Sequence, residues 1–67
     1  MKISGRNKLQ GIVKEIVKGS VMAKVVVEYK GVEIVAAITV DSVDDLGLKV
    51  GDEVTALIKS TEVMILK

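Results

Sequence analysis

Residues 21–39 contain the pattern that most restricts the fold, two alternating apolar runs separated by two residues. VMAKVVVEY (21–29) and VEIVAAIT (32–39) place an apolar side chain at nearly every second position, which is typical of strands with one buried face. Lys30-Gly31 between them predicts a tight hairpin turn, because glycine accepts a positive φ. The side chains expected to face inward are Val21, Ala23, Val25, Val27, Tyr29, Val32, Ile34, Ala36 and Ile38.

Residues 8–18, KLQGIVKEIVK, permit two interpretations. Helical spacing is found at Leu9, Ile12, Val13 and Ile16. A strand would instead separate two faces: Leu9, Gly11, Val13, Glu15 and Val17 against Gln10, Lys14 and Lys18. The β-branched content favours the strand, and an interior glycine such as Gly11 predicts a bend or bulge.

The segment VDSVDDLGL (40–48) interrupts the β pattern. Asp41 or Ser42 can cap a short helix, its first turn favours acidic side chains, and Gly47 can end it. Three acidic residues in five positions also suggest a hard-cation loop, but such loops need more carboxylates at regular spacing. We therefore expect a short capped helix, followed by strands over 53–59 and 62–67.

This order of elements predicts an all-β fold, a five-stranded OB-like Greek-key barrel with one short helix between strands 3 and 4. A small SH3-like barrel is the alternative, and the position of the helix favours the OB-like form. We expect one domain over residues 1–67.

Size and composition predict self-association. A 67-residue chain buries too little surface for a robust core, and without Cys or His it has neither disulfides nor the usual zinc ligands. Apolar residues make up 49% of the chain, more than so small an interior can cover. Val26, Val35 and Ala37 on the outer sheet face are either scattered surface residues or, as we expect, part of a subunit contact.

Several function classes are disfavoured. Without His or Cys, the four serines have no obvious base to activate them, so we expect no enzyme. A single-stranded nucleic-acid-binding OB-fold protein is the alternative function, but Tyr29 is the sole aromatic residue and the net charge is only +1. No stretch resembles a signal peptide or a membrane span, so we expect a cytoplasmic protein with no membrane partner.

Donor-rich residues occur in three clusters, at residues 4–7 (SGRN), 59–61 (KST) and 18–20 (KGS). Main-chain N–H groups near glycine, hydroxyl groups and cationic side chains can together bind an anion. Taken one at a time, each cluster is more typical of an ordinary turn than of a binding site, and spacing alone does not name a ligand.

Two of these clusters belong to longer motifs. SGRNKLQG (4–11) resembles the S-A-R-N-x-L-x-G opening of the molbindins, the small molybdate-binding Mop proteins of the TOBE/Mop domain family. GLKVGDEVTALIKSTEVMI (47–65) is similar to that family's C-terminal motif. Gly5 replaces the usual Ala, and Ser60 stands where Ala is also common.

The resemblance implies a homohexamer, a trimer of dimers, that binds molybdate and its analogue tungstate between subunits for intracellular molybdenum storage or homeostasis. It implies that Ser4, Gly5 and Arg6 of one subunit meet Lys59 and Ser60 of another. A possible second anion site would involve Lys18, Gly19 and Ser20. No protein side chain would ligate the metal directly. The small oxyanion would be the ligand, and no nucleic acid is expected as a partner.

Overall fold

The computed structural model describes residues 7–67 of the chain, and an antiparallel sheet dominates this part. Its elements are β1 (Asn7–Lys18), β2 (Met22–Tyr29), β3 (Val32–Thr39), α1 (Val40–Leu46), β4 (Glu53–Ile58) and a 3₁₀ helix (Ser60–Glu62). The four strands form one sheet in the order β3-β2-β1-β4. The strand alternative for residues 8–18 is confirmed, as is the helix between the third and fourth strands.

The long strand β1 is shared by two neighbours. Its first half pairs with β4, from Asn7 opposite Ile58 to Ile12 opposite Glu53. Its second half pairs with β2, from Ile12 opposite Glu28 onwards. A β-bulge lies close to the point where the pairing changes, and a bulge bends its strand and increases the local twist.

The bend contains a β-bulge, where the register shifts between Val13 and Glu15. The extra residue reverses the alternation, so that Val13 is buried and Ile16 packs against the core, whereas Glu15 is exposed. The predicted grouping of Val13 with Glu15 and Val17 on one face is therefore wrong beyond Val13. Strict alternation cannot anticipate a bulge.

The predicted bend or bulge occurs just after Gly11, between Val13 and Glu15, and Gly11 itself has a steric role. A Cβ atom at this residue would overlap the main-chain oxygen of Glu28 and lie 2.7 Å from the Val27 Cγ1 atom. The absence of a side chain allows β1 to approach β2 closely at the bend.

The hairpin between β2 and β3 is confirmed. Tyr29 pairs with Val32, and the register continues to Met22 opposite Thr39. Lys30 and Gly31 both have positive φ, 49° and 81°. Two such residues are characteristic of a type I′ turn, whose twist matches that of the flanking strands.

The core lies between the inner sheet face and α1. Its buried members are Val13, Ala23, Val25, Val27 and Val43, with Ile16, Ala36, Ile38, Val40, Leu48 and Val54 packed around them. The predicted inward positions of β2 are thus confirmed from Ala23 to Val27. Val21 is 67% exposed because it precedes the strand, so its predicted inward position is wrong.

One residue on the outer face is also buried. Val26 is only 6% exposed although the alternation points it outward. Glu15 and Val35 flank it in register on the two neighbouring strands. A central strand is covered from both sides, and this explains the difference from β3, where Val35 remains 63% exposed.

The helix begins two or three residues earlier than its predicted caps, Asp41 or Ser42, would require. Thr39 is the N-cap, and its Oγ1 atom accepts a hydrogen bond from the Ser42 main-chain N–H at 3.1 Å. The prediction of Asp41 or Ser42 as the cap is therefore wrong, because the helix follows β3 without an intervening loop. Gly47 ends the helix with φ 62°, as predicted.

The connection from α1 to β4 is hydrogen-bonded to β1 at the bulge. The Val13 N–H donates to the Asp52 carbonyl at 2.9 Å, and the Gly51 N–H donates to the Val13 carbonyl at 2.8 Å. These bonds use main-chain groups that a regular ladder would have paired elsewhere.

The C-terminal segment differs from the predicted fifth strand. After the 3₁₀ helix, residues 63–67 have no regular structure, and Met64, Ile65 and Leu66 are 92%, 88% and 97% exposed. A strand needs hydrogen bonds from a neighbour, and none of the described segments lies beside these residues in a ladder. The fifth strand and the closure of the barrel are therefore not confirmed. Within residues 7–67, no helix has the length and apolarity needed to cross a membrane.

The close contact of β1 with β2 at Gly11 leads to a prediction about stability. Gly11→Ala should lower the free energy of unfolding by about 1–3 kcal/mol, because the new methyl group forces β1 and β2 apart. Chemical denaturation measures this loss. Gln10→Ala, at the exposed neighbouring position, is the control. Equal stability of Gly11→Ala and the wild type would show that the bend needs no glycine.

The observed cap makes a second prediction. Thr39→Ala should destabilise the protein by about 1 kcal/mol, whereas Thr39→Ser retains the capping oxygen and most of the stability. Asp41→Asn should cost less than Thr39→Ala at high salt, where the helix dipole is screened. Thermal unfolding of the three variants distinguishes the caps, and a larger loss for Asp41→Asn would contradict the assignment.

Candidate functional site

The pairing of β1 with β4 joins regions near the two ends of the sequence. Asn7 lies opposite Ile58, and its Nδ2 atom donates to the Ile58 carbonyl at 3.1 Å. The cluster Lys59-Ser60-Thr61 therefore lies at the sheet end where β1 begins. Ser4, Gly5 and Arg6 lie outside the described residues.

The cluster at 59–61 forms a short exposed turn. Lys59 is the N-cap of the 3₁₀ helix, in an extended conformation and without a side-chain capping bond. The first main-chain bonds of the turn run from the Glu62 N–H to Lys59 at 2.9 Å and from the Val63 N–H to Ser60 at 3.5 Å. The N–H groups that open a helical turn have no acceptor within it. The turn thus combines a cation, two hydroxyl groups and main-chain donors.

Glu62 belongs to the same turn and was not part of the predicted cluster. Its carboxylate adds a negative charge close to the donors in sequence. The sequence shows that Glu62 directly follows Thr61. Only the 3₁₀ helix shows that residues 59–62 share one turn.

The cluster Lys18-Gly19-Ser20 lies at the opposite end of β1. The Lys18 Nζ atom donates to the Asp44 Oδ1 atom of α1 at 2.8 Å. The Gly19 N–H donates to the Met22 carbonyl at 2.8 Å, which closes the turn into β2. Within one chain, the structure does not bring this cluster together with residues 59–61.

One groove of the described chain is formed by neither cluster. It encloses about 510 Å³ beside the bend of β1, and its lining is Gln10, Gly11, Ile12, Glu28, Lys30, Glu53, Val54 and Thr55. Glu28 and Glu53 are the partners of Ile12 on its two sides, so two carboxylates border the groove. These charges disfavour an anionic ligand, whose binding requires donors.

Tyr29 lies on a smaller adjoining groove with Lys8, Gln10, Lys30 and Thr55. The Lys30 Nζ atom is 5.4 Å from the centroid of its ring, a cation–π arrangement. The ring face that a base would stack on is therefore shared with a lysine of the same chain. Separately, no group of three or more Asp, Glu, His or Cys within residues 7–67 is placed to hold a metal ion.

Comparison with known proteins shows what this chain is similar to. The TOBE domain family model matches residues 3–65. Molybdenum-pterin-binding protein 3 of Clostridium pasteurianum is 52% identical over 67 residues, which cover 98% of each chain.

Solved structures agree with this match. The molybdate-binding protein from Sporomusa ovata is 70% identical over 100% of both chains, with a TM-score of 0.97. The cytoplasmic molybdate-binding protein ModG, with molybdate bound, is 40% identical with a TM-score of 0.91, over 96% of this chain and 46% of that one. These relatives are binding proteins. The match across residues 3–65 and the identity to full-length relatives show that the chain belongs to the TOBE domain family.

Proposed function

We propose that this protein binds molybdate without catalysing a reaction and that it serves in molybdenum storage or homeostasis. The observation that carries the proposal is the 70% identity, over the full length of both chains, to the molybdate-binding protein from Sporomusa ovata. The folds of the two chains also agree, with a TM-score of 0.97.

The chemistry of the described residues supports this ligand. Molybdate is a dianion at neutral pH and offers only hydrogen-bond acceptors, so its site should consist of donors. The exposed turn at Lys59, Ser60 and Thr61 provides an ammonium group, hydroxyl groups and main-chain N–H groups. Bonds from charged donors to an oxyanion are the stronger class of hydrogen bond.

We place the principal site between subunits, with Ser4, Gly5 and Arg6 from one chain and Lys59 and Ser60 from another. The described chain supports the second half of this assignment, because it presents Lys59 and Ser60 at the surface. In a single chain, Asn7 pairs with Ile58, so residues 59–61 lie beside the start of β1, and a site formed within one chain is the alternative arrangement. The proposed site therefore needs a test that separates the two arrangements.

We further propose that the chain assembles as a homohexamer, a trimer of dimers, in which residues 1–67 act as one domain. Exposed apolar groups support self-association, above all the nearly uncovered Met64, Ile65 and Leu66. Val35 adds an apolar position on the outer sheet face. Such surfaces are typical of subunit contacts. A cytoplasmic location is part of the proposal, supported by the description of ModG as cytoplasmic.

Calorimetry with molybdate, tungstate and sulfate tests the function. Molybdate should bind more tightly than sulfate, and tungstate should compete with it because its size and charge are similar. Bound ligand should raise the thermal midpoint by mass action, which corresponds to about 2.7 kcal/mol at a hundredfold excess over Kd. Binding of molybdate no tighter than that of sulfate would refute the proposal.

Variants of the two motifs test the site. Arg6→Ala and Lys59→Ala should each weaken molybdate binding by about 10- to 100-fold, because each removes a charged donor. Lys14→Ala removes an exposed lysine at the bulge and is the control. Unchanged affinity in both variants would contradict the assignment of these side chains.

Mixing the two variants separates a shared site from one within a chain. If Arg6 and Lys59 of different subunits form the site, co-refolded Arg6→Ala and Lys59→Ala chains should regain about one quarter of the high-affinity sites by random assembly. If both residues act within one chain, no mixed assembly has an intact site. The number of high-affinity sites per chain, measured by titrating the mixture with molybdate, therefore distinguishes the two arrangements.

A charged substitution on the outer face of the sheet tests the proposed assembly. Val35→Asp should reduce the oligomer to smaller species, because an interface would have to bury an unpaired carboxylate. Val32→Asp is the matched control, since Val32 is 60% exposed in the same strand and lies at the hairpin turn. Gel filtration and native mass spectrometry report the size, and an unchanged oligomer in Val35→Asp would exclude this face from the contact.

A further inference from the structure

The turn at Lys18, Gly19 and Ser20 contacts the carboxylate of Asp44, a residue of α1. Lys18 ends β1, and its Nζ atom lies 2.8 Å from the Asp44 Oδ1 atom. The two side chains are 49% and 58% exposed, so water and small ions reach both. Twenty-six positions separate them in sequence, and the packing of α1 beside the sheet brings them together.

Two of the donors of this turn already have acceptors within the chain. The Lys18 ammonium group is neutralised by Asp44, and the Gly19 N–H already bonds to the Met22 carbonyl. An anion at this turn must either displace the Asp44 carboxylate from Lys18 or bind beside a negative charge. Both alternatives lower its affinity, since like charges repel at this range.

We infer that Asp44 is an affinity-determining residue, whose carboxylate competes with molybdate for the Lys18 ammonium group and makes this turn the weaker of two classes of anion site. The inference rests on the proposed function, because it concerns the same ligand. The inference adds Asp44 to the residues that govern binding. Its ionised carboxylate has no hydrogen-bond donor and lowers the affinity by repelling the anion.

The chain contains a matched control for this effect. Asp45 is the next residue of α1, is also exposed, and makes no ion pair with another residue in the range 7–67. Asp44→Asn and Asp45→Asn therefore remove the same charge from the same helix. They differ in whether the lost carboxylate touches Lys18.

Calorimetry of the whole protein with sodium molybdate at low ionic strength tests the inference. The weaker class of sites is identified as the one that Lys18→Gln abolishes. Asp44→Asn should tighten that class by about two- to fivefold, the range that exposed ion pairs support, and leave the tighter class unchanged. Asp45→Asn should change it less. The advantage of Asp44→Asn should shrink as salt is added, because salt screens exposed charges.

A double variant completes the design. In a Lys18→Gln background, Asp44→Asn should have no remaining effect on anion binding, because the two groups act through one contact. Equal tightening by Asp44→Asn and Asp45→Asn, weaker binding in Asp44→Asn, or the absence of any Lys18-dependent class would each overturn the inference. Failure of the proposed function is distinguishable, since molybdate would then bind to no class in the wild type.

Discussion

The bend of β1 is the constraint on which the rest of the described fold depends. One strand pairs with β4 through its first half and with β2 through its second. Gly11 permits the close approach to β2, and the bulge after Val13 turns Ile16 toward the core. The connection into β4 is bonded to Val13 on both its N–H and its carbonyl. Small barrels commonly use a bulge and a glycine in this way to curve a sheet.

The same strand separates the two described donor clusters. Residues 59–61 lie beside its start, and residues 18–20 form its end. They differ in electrostatics as well as position. Lys59 makes no capping bond with its turn, whereas Lys18 is held by Asp44. Both turns contain or contact a carboxylate, but within residues 7–67 only Lys18 forms an ion pair with it, whereas Lys59 forms none. This difference in the availability of the lysine is the physical reason to expect two affinities.

Local patterns predicted much of the fold. The hairpin, the inward faces of Ala23 and Val27 and the glycine end of α1 each follow from nearby residues, and all are confirmed. The errors arose where a neighbour in space decides. The bulge at β1 depends on two partner strands, and the Thr39 cap depends on how β3 enters the helix. Val26 is buried because strands cover it on both sides.

By itself, the sequence determined the class of fold, the absence of Cys and His, and the motifs that led to the family. Tertiary structure decided which residues meet. It placed Asn7 beside Ile58, 51 positions away, and joined Lys18 to Asp44. It also left Met64, Ile65 and Leu66 uncovered although their pattern suits a strand. The reason is that alternation reports which face of a segment is apolar, whereas pairing and ion contacts depend on the path of the whole chain.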